Sequence, residues 1–90
     1  MKRMDEHIAE SKVSITHVRI ERDLLIVDLS DERSLGTPIR WYPRLQSATA
    51  EQRENSQILG DGIGVHWPDI DEDLSLRGML AGRAAPGGAR

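Results

Sequence analysis

The first twelve residues scatter their few apolar positions, Met1, Met4, Ile8 and Ala9, among basic and acidic ones, which predicts a flexible arm over 1–12 that carries no core. From Val13 the pattern changes to alternation. Val13, Ile15, His17 or its neighbour Val18, and Ile20 are separated by polar residues, and Leu24 and Ile26 then alternate with Leu25, Val27 and Leu29. A period of two in β-branched residues predicts two strands, with Glu21-Arg22-Asp23 as the tight hairpin connection. Leu24–Leu29 is apolar on both faces for much of its length, the pattern of a central strand covered on both sides. After a second turn at Ser30-Asp31-Glu32-Arg33, the residues Leu35, Ile39 and Trp41 predict a third strand over Ser34–Trp41. That strand lies at an edge or is interrupted at Pro38, since proline has no N–H for a ladder bond.

Pro43 stops this strand and suits the first position of a helical turn over Arg44–Ala48. Thr49-Ala50-Glu51-Gln52 has the spacing of a capping box and predicts a short helix over about Ala50–Asn55, anchored by Leu45, Ala48 and Ile58. Gly60-Asp61-Gly62 marks a turn into a fourth strand, Gly62–Trp67. Ile63, Val65 and Trp67 form one face of it, and its glycine face invites close packing by another element. Beyond the acidic run Asp69–Asp73, the residues Leu74, Leu76, Met79 and Leu80 predict a last helix, capped by Asp73 or Ser75 and stopped at Gly82. The Gly/Pro-rich stretch over 83–90 reads as a disordered tail.

Composition narrows the class. Ninety residues with twelve basic and fifteen acidic side chains give a net charge of −3, and 38% apolar positions allow one small soluble domain with a modest core. The absence of cysteine excludes disulfides and thiolate chemistry and accords with a cytoplasmic location. The longest apolar run, Leu24–Val27, falls far short of the roughly 20 residues of a membrane span, and Met1–Glu6 has no apolar stretch of a secretion signal.

Candidate chemistry centres on His66-Trp67-Pro68-Asp69-Ile70-Asp71-Glu72-Asp73. An imidazole followed by alternate aspartates offers a ligand set, His66, Asp69, Asp71 and Asp73, for a small metal-dependent enzyme with Glu72 alongside. The likeness to a calcium loop fails at once, because Leu74 stands where that loop needs glycine and Leu80 where it needs glutamate. The competing reading is a solvated structural edge with no metal and no cofactor, and His66 as a packed, hydrogen-bonded residue. The serines sit in no nucleophile elbow, and no glycine-rich loop joins a strand to a helix as phosphate cradles do. Trp41, Leu45, Val65, Trp67 and Pro68 are the core candidates, with Leu35 and Ile39 beside the two indoles. An acidic chain is a poor match for nucleic acid, which selects concentrated positive charge. Arg40, Tyr42 and Arg44 around the first aromatic segment, with Asp69, Asp71, Glu72 and Asp73, are the candidate partner-binding surface.

The run Ile39-Arg-Trp-Tyr-Pro-Arg-Leu-Gln-Ser-Ala-Thr-Ala-Glu-Gln-Arg-Glu-Asn55, followed by Gly60-Asp-Gly-Ile-Gly-Val-His-Trp-Pro-Asp-Ile-Asp-Glu-Asp-Leu-Ser75 and Gly82, resembles the bacterial family known as domain of unknown function 2442. The likeness spans about residues 13–82, taken as the single domain. It departs at Asp31-Glu32-Arg33, where the family has Asp-Gly-Arg, and at Ser56, where an aromatic commonly follows the asparagine; a reshaped hairpin turn and a missing ring are expected there. The resemblance implies an α+β fold, which the elements above make a small antiparallel sheet of about four strands with two or three short helices packed on it. It implies no established enzymatic activity. Relatives are often encoded beside a small protein in pairs that look like toxin–antitoxin modules, which implies a cognate small protein as partner. Some relatives carry an added helix-turn-helix, for which the residues after Gly82 are too few. The expectation is a non-enzymatic protein-binding module of antitoxin or regulatory type, a homodimer being compatible with it; the alternatives are the metal-dependent enzyme or a structural component of an assembly.

Overall fold

Each alternating segment buries one face, and the molecule is built by closing two such faces over each other. The computed structural model describes residues 13–88, so the arm expected over 1–12 lies outside the described residues. Strands β1 (Ile15–Glu21), β2 (Leu24–Leu29) and β3 (Ser34–Pro38) form one antiparallel sheet in that order. Strands β4 (Gln57–Leu59), β5 (Gly64–Trp67) and β6 (Glu72–Ser75) form a second. Helices α1 (Pro43–Gln46), α2 (Ala50–Glu54) and α3 (Leu76–Leu80) complete an α+β fold, with a 3₁₀ turn over Ile39–Trp41. Among the described residues the strands number six in two sheets, where about four in one were expected. No helix among the described residues is long and apolar enough to cross a membrane.

Strand β2 is central, as its apolar content predicts, but only one of its faces is sealed. Leu25, Val27 and Leu29 are buried, whereas Leu24 is exposed and Ile26 and Asp28 are half-buried. Beside Leu24 and Ile26 the open, otherwise polar face is bonded across its strands: Arg19 Nη1 donates to Asp28 at 2.7 Å, Arg19 Nε pairs with Glu21 at 3.0 Å, and the Ser34 hydroxyl donates to Asp28 at 2.7 Å. In the turn after β2, Glu32 stands where the family pattern has glycine and takes a left-handed backbone, φ 74°. That conformation costs an ordinary L-residue about 1–2 kcal/mol.

Pro38 ends β3, and beyond it the burial period changes from two to three. Ile39, Tyr42 and Leu45 are buried in sequence along the 3₁₀ turn and α1, because residues three apart eclipse in a 3₁₀ turn. This corrects two expectations. Trp41 is half-buried instead of central to the core, and Tyr42, read as a surface contact, is 1% exposed. Leu45, Val65 and Trp67 take their expected core places, but Pro68 is exposed.

The capping box forms as its spacing predicts, Thr49 Oγ1 accepting from the Gln52 N–H at 3.1 Å and Gln52 Oε1 from the Thr49 N–H at 3.0 Å. Arg53 then reaches back, Nε donating to the Leu45 carbonyl and Nη2 to the Gln46 carbonyl, both at 2.9 Å. The second satisfies the Gln46 carbonyl at the end of α1, and the first adds to the Leu45 carbonyl's bond from the Ala48 N–H. Trp67 Nε1 in turn donates to the Arg53 carbonyl at 3.0 Å, tying α2 to β5.

The expected glycine face is filled by backbone. Gly62, φ 91°, accepts from the Ile15 N–H at 2.8 Å, and a Cβ there would lie 2.6 Å from the Ile15 carbonyl oxygen. This contact joins the start of β1 to the turn before β5. The stretch over 83–88, expected as part of a disordered tail, packs back instead: the Ala85 N–H donates to the Trp41 carbonyl at 3.0 Å and Ala85 lies against the core. Its Gly/Pro-rich composition conceals this order because one backbone hydrogen bond and one small side chain make the contact.

Candidate functional site

Trp67, with no exposed surface, anchors the end of β5, and the chain reverses over Pro68–Asp71 before entering β6. Asp71 closes that turn at φ 53°, a conformation aspartate tolerates better than most residues. The turn is held from outside as well. Asn55 Nδ2 donates to Asp69 Oδ2 at 3.1 Å, and Arg44 Nη1 donates to the Asp71 carbonyl. Across the sheet, His66 Nδ1 hydrogen-bonds Asp73 Oδ1, the two residues being register partners on β5 and β6. Asp69, Asp71 and Asp73 are exposed, so the result is an acidic rim held at the Asp71 carbonyl and at the Asp69 and Asp73 carboxylates, with its charges at the surface.

This geometry does not assemble the metal-ligand set. Only His66 and Asp73 come together, and no group of three or more ligating side chains forms among the described residues. The cause is the turn: alternate aspartates share a face only in an extended segment, and here Asp69 and Asp71 precede the strand.

Glu72 differs from its neighbours. It is half-buried on the wall of a cleft of about 220 Å³ that runs along β6, with Tyr42, Leu74, Met79 and Ala85 among the lining residues. Burial pushes its carboxyl above the ordinary value of 4.5; its bond from the Asp73 N–H and the Arg44 charge act against that, and the charges of Asp73 and Asp71 add to it. Burial likewise raises the Tyr42 phenol, opposed by the Thr37 hydroxyl and reinforced by Glu72. The Tyr42 hydroxyl is buried with no hydrogen-bond partner among the described residues.

A raised carboxyl makes stability fall with pH. With the folded-state value above the unfolded one, the folded protein holds the proton more tightly, so the penalty is absent below the unfolded value and develops as pH rises through the folded one. Glu72→Gln is therefore expected to raise the urea midpoint at pH 7 and to leave it unchanged near pH 3.5, well below an ordinary glutamate pKa of about 4.3. Equal midpoints for the two proteins at both pH values would remove Glu72 from a desolvated site.

A larger cleft, about 510 Å³, lies between β1 and α2, lined by Val18, Ile20, Arg19, Arg22 and Arg53 among others, with Ser56 on its wall. Arg19 and Arg53 are already engaged, the first by Asp28 and Glu21, the second by the α1 carbonyls.

The family profile described as "Protein of unknown function (DUF2442)" matches residues 15–85. The chain belongs to the DUF2442 family. Two solved structures are similar to it. A protein of unknown function from Rhodospirillum rubrum shares 34% identity and a TM-score of 0.73, over 82% of this chain and 92% of its own. An uncharacterised protein from Chromobacterium violaceum, solved by NMR in solution, has the same fold with a TM-score of 0.73 at 24% identity, over 93% of this chain and 79% of its own. None of the curated proteins matches the chain.

In this DUF2442 member, the sequence motifs that carry the likeness meet at one place. Arg44 from the Trp-Tyr-Pro-Arg segment, Asn55 from the end of the capped helix, and the acidic run after His66-Trp67-Pro68 are joined by hydrogen bonds. Arg40 does not join them; it is exposed and shares a shallow hollow with Asp23, Ile39 and Gln46. Sequence reasoning missed Asn55 and the cleft behind Glu72. The capping box located the helix whose end presents Asn55, but nothing local signals that a turn fourteen residues on will meet it.

Proposed function

We propose that this protein is a non-catalytic docking module of antitoxin or regulatory type, which holds a small basic partner, the product of a neighbouring gene, against the rim formed by Asp69, Asp71, Glu72 and Asp73. One observation carries the reading: the rim is held in place, its backbone by Arg44 at the Asp71 carbonyl and its Asp69 and Asp73 carboxylates by Asn55 and His66. A surface already ordered before contact loses little conformational entropy on binding. Clustered charge of one sign steers a partner of the opposite sign and sets specificity.

Co-expression with the adjacent gene product, tagged on either chain in turn, tests this directly. The two proteins are expected to co-purify, and the double reversal Asp69→Lys with Asp73→Lys is expected to weaken the complex at least about tenfold while steeply reducing its salt dependence. Glu32→Lys, at the β2–β3 turn, is expected to change neither. Absence of a complex in both tag orientations, or equal loss with Glu32→Lys, contradicts the proposal.

A further inference from the structure

The cleft along β6 is too small for a helix or a drug-sized ligand, whose pockets run to roughly 300–1,000 Å³, but 220 Å³ accommodates one long side chain. Its walls are divided by chemistry. Met79, Leu74 and Ala85 are apolar and packed against or within the core, while Glu72 supplies a carboxylate held partly out of water. At the inner wall is Tyr42, more than nine-tenths buried, whose hydroxyl has an unfilled hydrogen bond. No salt bridge within 4 Å occupies Glu72 among the described residues: Arg44 acts on it from a distance while donating to the Asp71 carbonyl.

A long aliphatic stem with a cationic end matches this division. Lysine and arginine bury their methylene stems on apolar surface while the charged head keeps polar contact. A carboxylate partly removed from water binds such a head more strongly than an exposed one does.

We propose that this cleft is an anchor pocket for a single lysine or arginine side chain of the docked partner, with the stem along Met79 and Ala85 and the cation at the Glu72 carboxylate. This rests on the docking reading above and names the chemistry that the partner must present. Arg83 also borders the cleft and opposes an incoming cation.

The full-length protein, isotopically labelled, is titrated with Nα-acetyl-lysine methylamide and Nα-acetyl-arginine methylamide up to about 50 mM, a range that captures millimolar binding. The uncharged Nα-acetyl-norleucine methylamide is the control for the stem alone. At least one cationic probe is expected to produce saturable amide shifts at Leu74, Ser75, Gly78 and Met79, and the norleucine probe none. Glu72→Gln is expected to weaken this binding at least about tenfold, the loss of one charge-assisted contact. Arg83→Gln is expected to leave it equal or tighter. Unsaturating shifts with both cationic probes, equal binding of norleucine, or unchanged binding by Glu72→Gln overturns the pocket. Because no partner is present in these titrations, their failure leaves the docking reading to be decided by co-purification alone.

Discussion

Trp67→Ala leaves the chain largely unfolded in water. The indole has no exposed surface, and its removal opens a cavity whose cost for a tryptophan is about 3–5 kcal/mol. The same change orphans the Arg53 carbonyl, which accepts from Trp67 Nε1 at 3.0 Å, adding about 1–3 kcal/mol. At about 0.05–0.15 kcal/mol per residue, total stability is small for a ninety-residue chain, and a loss of about 4–8 kcal/mol exceeds or matches it over the lower half of that range. Trp67→Phe keeps much of the volume but not the donor, and is expected to unfold cooperatively in urea by far-UV circular dichroism at a midpoint below the parent's, where the alanine variant has little folded baseline. An alanine variant as resistant to urea as the parent would place the indole outside the core.

Gly62→Ala is expected to cost about 2–4 kcal/mol from two separate causes. One is backbone conformation, since φ is 91° there; the other is contact, since the new Cβ would sit 2.6 Å from one backbone atom of Ile15 and 2.7 Å from another. Backbone cannot swing aside as a side chain does, so relief requires breaking the Ile15 N–H bond to Gly62. Gly36→Ala is the matched control: its Cβ would meet only the Leu24 methyls at 4.0 Å, and replacing a strand glycine is neutral or mildly stabilising. Thermal unfolding of the three proteins side by side checks the ordering, and equal midpoints for the Gly62 and Gly36 variants would contradict the close approach.

The local elements were legible where a single physical rule governs them. The β1–β2 hairpin follows from period-two alternation, the α2 cap from Thr49 and Gln52, and the close approach at the glycine-rich turn from the missing side chains. What the sequence did not disclose depends on contacts between distant segments. Strand β6 is spelled Glu72-Asp73-Leu74-Ser75, a poor strand composition, and pairing with β5 overrides that preference. Strand β4 has only three residues, too few to show a period. Pro38 signalled the end of β3, yet the switch to a 3₁₀ turn beyond it exchanged the fates of Trp41 and Tyr42. At the site, the acidic run and Arg44 were recognisable as candidates, whereas their clamping by Asn55 and the pocket behind Glu72 arise only when three separate segments meet.

The central claim is that the partner docks on the clamped acidic rim. Hydrogen–deuterium exchange of the protein alone and in complex with its neighbouring gene product tests it most directly. Slowed exchange on binding is predicted over residues 69–75 and around Arg44, with the polar face of β1, β2 and β3 unchanged. Protection confined to that polar face, with residues 69–75 exchanging as in the free protein, would contradict the account.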